Sequence, residues 1–216
     1  MVKRTFDLVF SLLGLGVLFP FMLLVAVWIK LTSRGPVLYR GLRVGRGGTR
    51  FRVLKFRTMV CDAEQLGGPS TSDDDPRITK VGKLLRKYKL DELPQLFNVL
   101  KGEMSLVGPR PEVPLEVDRY TPQQRELLSV RPGITDWASI RFRNEGEILQ
   151  GSPNPHETYR QEIQPLKILM GLEYTRHHSL WIDLRIILAT LWAIAGGRPE
   201  TLVGIPEASS RRLSHC

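Results

Sequence analysis

The sequence predicts an α+β fold that is mostly helical, with a re-entrant membrane helix-break-helix at the N-terminus, a small β-hairpin and interfacial amphipathic helices. Three observations support this prediction: an uncharged apolar run near the start, two strand-like segments around a glycine-rich turn, and later apolar residues at helical spacing. With 216 residues, the chain is long enough for one domain with its own core. We divide it into a membrane hairpin at 1–34, a main domain at 35–195 and a flexible C-terminal tail at 196–216.

The apolar run covers Leu8 to Ile29, 22 residues without a charge. A straight helix of that length would extend roughly 33 Å, enough to cross a bilayer core of about 30 Å. Pro20, which follows Phe19 near the middle, removes a backbone hydrogen bond and favours a break. Basic residues flank the run on both sides, so the positive-inside tendency draws both ends to the cytoplasmic face. A hairpin that enters and leaves on one face fits these features. A straight span and a cleaved signal peptide are the alternatives, although no small-x-small cleavage site follows the run.

The chain is strongly basic. Its formal net charge is +9, its pI is near 9.9, and residues 31–61 hold eight Lys or Arg and no acid. Such a balance indicates anionic partners, namely nucleic acid, an acidic lipid surface or phosphorylated substrates. The two cysteines, Cys61 and Cys216, are far apart in sequence and suggest no disulfide framework or metal cluster, which indicates a reducing, cytosol-facing location.

Local patterns predict the remaining elements. A β-hairpin is expected over 37–59, because strand-like residues flank the turn Gly45-Arg46-Gly47-Gly48. Apolar residues at helical spacing over 81–88 predict a basic amphipathic helix, which a second short helix follows at 93–100. Further helices are expected at 121–128, 156–174 and 180–195. The uncharged part of the last helix is too short to span a bilayer, so we expect that helix to lie flat at the membrane interface.

The pair Asp91-Glu92 is the strongest candidate for chemistry. Adjacent cations favour an ionised carboxylate, and a positioned carboxylate can attack phosphorus to form an acyl phosphate. Glu92 adds a second hard oxygen ligand suited to Mg²⁺. The structural alternative is that Asp91 caps a helix running from Glu92 to Leu100. The cations that precede the pair within a dozen residues, with no acid among them, are Lys80, Lys83, Arg86, Lys87 and Lys89.

Three cations are candidates for binding phosphate. Lys55 and Arg57 end the predicted hairpin beside the Thr58 hydroxyl, although alternating strand residues also place such cations on a solvated face. Arg110 lies between two prolines, and its planar guanidinium can hold phosphate through two hydrogen bonds; a surface turn is the alternative. The sequence has no glycine loop of Walker or dinucleotide type, so side chains would have to bind the phosphate.

The order of these short motifs strongly resembles that of the bacterial sugar transferases, in particular the small monotopic polyprenyl-phosphate phosphoglycosyl transferases. The resemblance covers roughly residues 1 to 195, and the ordered set is specific although each piece alone is not. Its segments are Lys3-Arg4 with Asp7, the proline-broken apolar run, Gly35-Pro36-Val37, Lys55-Phe56-Arg57-Thr58-Met59, Leu90-Asp91-Glu92-Leu93-Pro94-Gln95, Ser105-Leu106-Val107-Gly108-Pro109-Arg110-Pro111 and Arg131-Pro132-Gly133-Ile134-Thr135.

The resemblance implies a two-step reaction at the cytoplasmic face of the bacterial inner membrane. Asp91 would attack the sugar-bearing phosphorus of a UDP-sugar, release UMP and carry a covalent phosphosugar, which undecaprenyl phosphate would then accept. Glu92, together with Asp91, would hold Mg²⁺ on the diphosphate. Lys55, Arg57 and Arg110 would neutralise phosphate charge, on which such transfers depend.

The same resemblance sets the remaining expectations. Residues 35–195 would be the catalytic domain, and Asp183, which falls where the family also carries an acid, would contribute to the substrate site. The expected partners are a UDP-sugar, undecaprenyl phosphate, membrane lipids and, as an option, a second copy of the chain; nucleic acid is not among them. The chain departs from the family at Phe19, where serine is common, and at Asp136-Trp137-Ala138-Ser139, where Gly-Trp-Ala-Gln is common. These departures concern the kink geometry and the donor sugar.

A non-catalytic alternative is a membrane-tethered basic module that binds nucleic acid or acidic lipid through residues 31–61. Aromatic residues are few in that stretch (Tyr39, Phe51 and Phe56), which gives little support for stacking on single strands.

Overall fold

The N-terminal apolar run forms one long helix. The computed structural model describes residues 2–67 and 70–197, and its first helix, α1, extends from Val2 to Thr32. The 31 residues correspond to about 46 Å. Most of the helix surface exposes large apolar side chains, and the helix is long and apolar enough to cross a membrane. One stripe, which recurs every three to seven residues, is buried against the rest of the protein and comprises Asp7, Ser11, Leu15, Met22, Val25 and Ile29.

The predicted break at Phe19-Pro20 is not confirmed, because α1 is continuous through both residues. A proline removes one backbone hydrogen bond and crowds the carbonyl four residues earlier, here that of Gly16. No heavy atom of another segment lies within 4 Å of where a Cβ at Gly16 would stand, so the helix has room to adjust locally. Met22 and Val25 continue the buried stripe beyond the proline, and their packing holds the second half of the helix on the same core.

The predicted β-hairpin is confirmed. β1 (Leu38–Val44) pairs antiparallel with β2 (Arg50–Phe56). The turn between them contains Gly47 and Gly48, with φ of 66° and 80°, a conformation that glycine adopts without steric cost. From the inner face of β2, Phe51 and Val53 pack against a buried apolar cluster, so one face of the hairpin is part of the core.

Helices make up most of the remaining structure, and several expectations are met. The basic helix that leads to Asp91 is present, and the expected helix at 156–174 is found from Pro155 to His177, with a π-helical turn at Tyr159–Ile163. The segment at 121–128 is a 3₁₀-helix, Gln124–Ser129, instead of an α-helix. The α-helices are α2 (Ala63–Leu66), α3 (Lys80–Lys87), α4 (Gln95–Lys101), α5 (Pro114–Val117), α6 (Trp137–Arg141), α7 (Glu145–Ile148), α8 (Pro155–Thr158), α9 (Gln164–His177) and α10 (Leu180–Ile194). The tail expected at 196–216 lies outside the described residues from 198 onward.

A short parallel sheet that the sequence did not predict joins the two proline-rich segments. β3 (Ser105–Val107) pairs with β4 (Gly133–Thr135). A Cβ at Gly133 would lie 2.1 Å from the backbone nitrogen of Gly108, so the two chains approach as closely as they do only because glycine is present. This pairing fixes where the chain leaves β3, and therefore where Arg110 begins.

The first turns of α1 are fastened to the rest of the protein by polar contacts. The buried carboxylate of Asp7 accepts hydrogen bonds from Ser105 Oγ at 2.9 and 3.0 Å and from the Leu106 backbone nitrogen at 3.0 Å. Arg4 donates to the carbonyl oxygens of Val99 and Leu100, at 2.6 and 2.9 Å, at the C-terminal end of α4. Carbonyls at a helix end lack a full set of intrahelical donors, and Arg4 supplies donors to two of them; Val99 also accepts from the Gly102 backbone nitrogen at 3.0 Å.

We expect Asp7→Asn to lower the free energy of unfolding by about 2 kcal/mol, because hydrogen bonds to a buried charged acceptor are lost or weakened. For a chain of this size, Tm would fall by roughly 4–8 °C. Thermal unfolding of the detergent-solubilised protein measures the change. Asp118→Asn is the matched control, because Asp118 is exposed. Equal Tm values for the two variants would contradict the anchoring role of Asp7.

Candidate active site

Asp91 and Glu92 lie in a 3₁₀ turn, Leu90–Glu92, between α3 and α4. Both residues are buried, with exposed fractions of 7% and 8%. The helix-cap interpretation of Asp91 is wrong, because α4 begins at Gln95 and Pro94 occupies its cap position. The acid pair is therefore held in a tight turn, and neither carboxyl caps α4.

Glu92 joins three segments that are distant in sequence. Its Oε1 accepts hydrogen bonds from Lys55 Nζ at 2.7 Å and from Arg110 Nη2 at 2.6 Å, while Arg110 Nη1 lies 3.4 Å from Oε2. Burial alone would raise the pKa of Glu92, but Arg110 and Lys55 outweigh it and hold that pKa well below its usual range. Glu92 in turn raises the pKa of Arg110. The structure thus brings three predicted site residues together: one from β2, one from the 3₁₀ turn and one from the segment after β3.

Asp91 differs from its neighbour. Within the part of the chain that the structure describes, its carboxylate makes no hydrogen bond and no ion pair. Burial raises the pKa of Asp91, and the positive charge of Lys55 offsets this only in part. Burial likewise lowers the pKa of Lys55, against the opposing effect of Glu92. Adjacent carboxyls in such different environments suit different roles: Glu92 pairs with the two cations, whereas the oxygens of Asp91 are free of hydrogen bonds within the described residues.

Lys55 reaches Glu92 because α4 fixes the position of β2. Asn98, fully buried on α4, accepts from the Leu54 backbone nitrogen at 2.9 Å and donates to the Arg52 carbonyl at 2.8 Å. The amide thus satisfies two backbone groups of β2 next to Lys55. Sequence reasoning missed Asn98, although a lone amide in the apolar run Leu96-Phe97-Asn98-Val99-Leu100 is a signal that could have identified it.

The structure does not bring Arg57 to this cluster, in contrast to the expectation. Its guanidinium donates to the carbonyl oxygens of Ser33 and Arg34, to Ser33 Oγ at 2.7 Å and to Cys61 Sγ at 3.0 Å. These carbonyls follow the C-terminal end of α1, so Arg57 fastens that end to the hairpin. The physical reason is that β2 ends at Phe56, so the alternation that would place Lys55 and Arg57 on one face does not continue.

Asp183 is also placed elsewhere. It is fully buried on α10, where it accepts hydrogen bonds from Lys3 Nζ and from the Tyr174 hydroxyl, both at 2.6 Å. Lys3 and Tyr174 each donate to the Val107 carbonyl as well, at 3.1 Å. Burial and the nearby Asp183 raise the pKa of Tyr174, which keeps its hydroxyl protonated as a donor. Asp183 therefore supports β3 through Lys3 and Tyr174, and it has no exposed atom with which to contact a substrate.

The surface beside Arg110 carries further polar groups that sequence reasoning did not select. Two cavities of about 20 Å³ each lie against Arg110 and Glu112, and Lys167 lines one of them. The Tyr159 hydroxyl donates to Glu112 at 2.7 Å, and Lys167 pairs with Glu145. Small-molecule pockets usually enclose about 300–1,000 Å³, so a large ligand would have to lie on the open surface around the cluster.

Carboxylate oxygens are the only side-chain groups at Asp91 and Glu92 that could bind a divalent cation. No group of three or more His, Cys, Asp or Glu side chains that could hold a metal occurs among residues 2–67 and 70–197. Mg²⁺, however, is commonly bound through one or two carboxylates together with substrate phosphates. Asp91 and Glu92 fit that pattern, although Glu92 would first have to release Lys55 or Arg110.

Comparison with known proteins identifies the family. The family model described as bacterial sugar transferase matches residues 1–197. The chain belongs to the bacterial sugar transferase family. It is 40% identical over 199 residues to UDP-N-acetylgalactosamine-undecaprenyl-phosphate N-acetylgalactosaminephosphotransferase of Aeromonas hydrophila, and 42% identical over 200 residues to undecaprenyl-phosphate glucose phosphotransferase of Komagataeibacter xylinus. It is 40% identical over 192 residues to UDP-glucose:undecaprenyl-phosphate glucose-1-phosphate transferase of Caulobacter vibrioides.

The matches cover most of this chain but unequal parts of the relatives. They include 91%, 88% and 88% of this chain, and 44%, 35% and 68% of the Aeromonas, Komagataeibacter and Caulobacter proteins, respectively. The chain thus spans less than half the length of two of these relatives. The shared part contains the acid pair and the cations assembled around it.

We expect the two acids to have opposite effects on stability. Glu92→Gln removes the carboxylate that pairs with the partly exposed Lys55 and Arg110 side chains and should lower the free energy of unfolding by about 2 kcal/mol. Asp91→Asn removes a carboxyl whose pKa is raised in the folded state, so it should raise Tm by a few degrees at pH 7.

Thermal unfolding at several pH values checks both statements. Because a raised folded-state pKa favours the folded protein at low pH, the advantage of Asp91→Asn should shrink as pH falls through the pKa of Asp91. A loss of stability in both variants would mean that Asp91 also makes a structural contact.

Proposed function

We propose that the protein transfers a phosphosugar from a UDP-sugar to undecaprenyl phosphate through a covalent aspartyl intermediate. One observation carries the proposal: a buried carboxylate without a hydrogen bond, Asp91, lies beside an acid whose two oxygens face two cations. The names of the relatives support the substrates, since they specify undecaprenyl phosphate as the acceptor and UDP-linked glucose or N-acetylgalactosamine as the donor.

In the first step, the donor diphosphate would exchange places with Glu92. Its phosphate oxygens accept hydrogen bonds from Lys55 and Arg110, which releases the Glu92 carboxylate. An Asp91 oxygen then attacks the sugar-bearing phosphorus, the bond between that phosphorus and the bridging oxygen breaks, and UMP leaves. The two cations oppose the charge that develops on the phosphoryl oxygens.

In the second step, an oxygen of undecaprenyl phosphate attacks the same phosphorus. The acyl-phosphate bond to Asp91 breaks, the carboxylate is restored and the lipid-linked diphosphosugar is formed. Asp183 and Arg57 share no hydrogen bond or ion pair with Asp91 or Glu92 in the described residues, and they contribute by holding β3 and the hairpin in place. Their role here is structural.

Mg²⁺ is the expected cofactor, and Glu92, once released, and Asp91 would hold it. When bound, it would neutralise charge on the diphosphate. The chain's own contribution is the pair Lys55 and Arg110, which orients the diphosphate with its sugar-bearing phosphorus toward Asp91.

We further propose that the protein is monotopic, with α1 entering the cytoplasmic face of the inner membrane and not crossing it. Lys3 and Arg4 contact the main domain at one end of α1, and Ser33 does so at the other. A straight crossing would carry the elements packed along this helix into the bilayer. Trp181 and Trp192, which are 67% and 50% exposed on α10, suit the membrane interface and support a flat orientation for that helix.

The covalent step predicts an identifiable adduct. Incubation of the protein with UDP-glucose or UDP-N-acetylgalactosamine, Mg²⁺ and no acceptor should release about one UMP per protein. The Asp91 peptide should gain the mass of the phosphosugar. Asp91→Asn should abolish both signals while the protein stays in the membrane fraction, since the amide is a far weaker nucleophile.

Asp118→Asn, which makes the same change at an exposed acid, serves as the matched chemical control. Turnover in Asp91→Asn would exclude Asp91 as the nucleophile. No UMP from any tested UDP-sugar would favour the membrane-tethered binding module instead.

The monotopic placement predicts that both ends of α1 are accessible from one side. In a background with Cys61→Ser and Cys216→Ser, single cysteines introduced as Val2→Cys and Thr32→Cys should both react with an impermeant maleimide from the cytoplasmic side only. Inside-out vesicles expose the cytoplasmic side to the reagent, and right-side-out vesicles expose the opposite side. Labelling from opposite sides would mean that α1 spans the bilayer.

A further inference from the structure

Lys89 has an unusual backbone immediately before the acid pair. Its φ and ψ are 56° and 20°, the left-handed region, and no other non-glycine residue in the described ranges has a positive φ. Its carbonyl accepts from the Glu92 backbone nitrogen at 3.3 Å, so it forms part of the turn that presents Asp91 and Glu92. Glycine or asparagine would adopt this conformation more easily than lysine. A strained residue next to a reactive group points to a role for its side chain.

The charge of Lys89 is uncommitted in this arrangement. Lys55 and Arg110 both donate to Glu92, whereas the Lys89 ammonium has no hydrogen bond or ion pair with any residue that the structure describes. It is exposed to solvent, and it is close enough to Asp91, Glu92 and Arg110 for their charges to act on it. An arriving anion can therefore reach it without displacing an internal partner.

We propose that Lys89 binds substrate phosphate at this site. This inference rests on the proposed function and adds a residue to it. The ligand chemistry is a phosphate oxygen, which the donor diphosphate and the acceptor phosphate both offer. Lys55 and Arg110 become available only when their hydrogen bonds to Glu92 break. Lys89 therefore holds the incoming phosphate while its oxygens replace the Glu92 carboxylate at these two cations. It contacts phosphate through a single charge, as lysine commonly does.

Two substitutions separate this role from a purely structural one. Lys89→Gly and Lys89→Asn both suit the left-handed backbone, so Tm should be equal to or higher than that of the wild type. Both should nevertheless raise the half-saturating substrate concentration about tenfold. Lys89→Arg keeps the positive charge and should leave that concentration at the wild-type value. Lys83→Asn is the matched control: it removes the same charge from an exposed position on α3.

The first readout is equilibrium binding of inorganic pyrophosphate to the full-length protein in detergent, measured by calorimetry. This measurement does not depend on turnover, so it tests Lys89 even if the proposed function fails. Weakened binding in Lys89→Gly and Lys89→Asn, with normal binding in Lys83→Asn, supports the inference. Equal binding in all variants overturns it.

The second readout distinguishes the two sources of phosphate. UMP release at varied UDP-glucose without acceptor reports on the donor, and discharge of the preformed adduct at varied undecaprenyl phosphate reports on the acceptor. A shift in the first arm assigns Lys89 to the donor diphosphate, and a shift in the second assigns it to the acceptor. Unchanged half-saturation in both arms, in an enzyme that turns over, would overturn the inference and leave the proposed function intact.

Discussion

The bridge from Lys55 through Glu92 to Arg110 is the interaction on which the site depends. It buries one acid between two partly exposed cations that come from β2 and from the segment after β3, and the charge of Glu92 is tolerable there only while those cations are present. The bridge therefore requires the hairpin, the 3₁₀ turn and the β3–β4 pair to be in place together. The same contacts hold the Lys55 and Arg110 side chains in position, and in the proposed reaction the phosphate oxygens of the donor would take the place of the Glu92 carboxylate.

Asp91 and Glu92 are neighbours in sequence with opposite electrostatic surroundings. Glu92 is held in its charged form by Arg110 and Lys55, whereas burial disfavours the charged form of Asp91. A carboxylate that is neither hydrogen-bonded nor fully compensated is costly in the folded state, and such a cost is typical of functional groups. Asp91 therefore lowers the stability of the fold, a cost that its proposed role as nucleophile would explain, while the contacts of Glu92 hold the turn in place.

Local features of the sequence predicted local structure correctly. The predictions for Arg57, Asp183 and Pro20 were less successful, because the surroundings of these residues depend on contacts between distant segments. The hairpin, α3 and α10 follow from periodicity and turn residues, and Asp91, Glu92, Lys55 and Arg110 follow from the chemistry of their side chains. Arg57 and Asp183 were misplaced because their partners, Ser33 and Lys3, lie 24 and 180 residues away. The break at Pro20 was predicted from the isolated helix, but the packing of Met22 and Val25 holds α1 together. Asn98 was missed because its two backbone partners belong to a strand that only the tertiary fold brings near.

The contacts of α1 explain why membrane association and chemistry would be coupled. Asp7 binds Ser105 and the Leu106 backbone, and Lys3 binds the Val107 carbonyl, so the first two turns of the apolar helix hold all three residues of β3. Arg110 follows β3 by three residues, too few to take up a large displacement through flexible chain. A helix seated in the bilayer would therefore fix the height of Arg110, and with it Glu92 and Asp91, relative to the lipid surface. An acceptor whose phosphate lies at that surface and whose chain lies in the membrane requires such a fixed height, because a shift of a few ångströms would carry the attacking oxygen out of reach of the phosphorus.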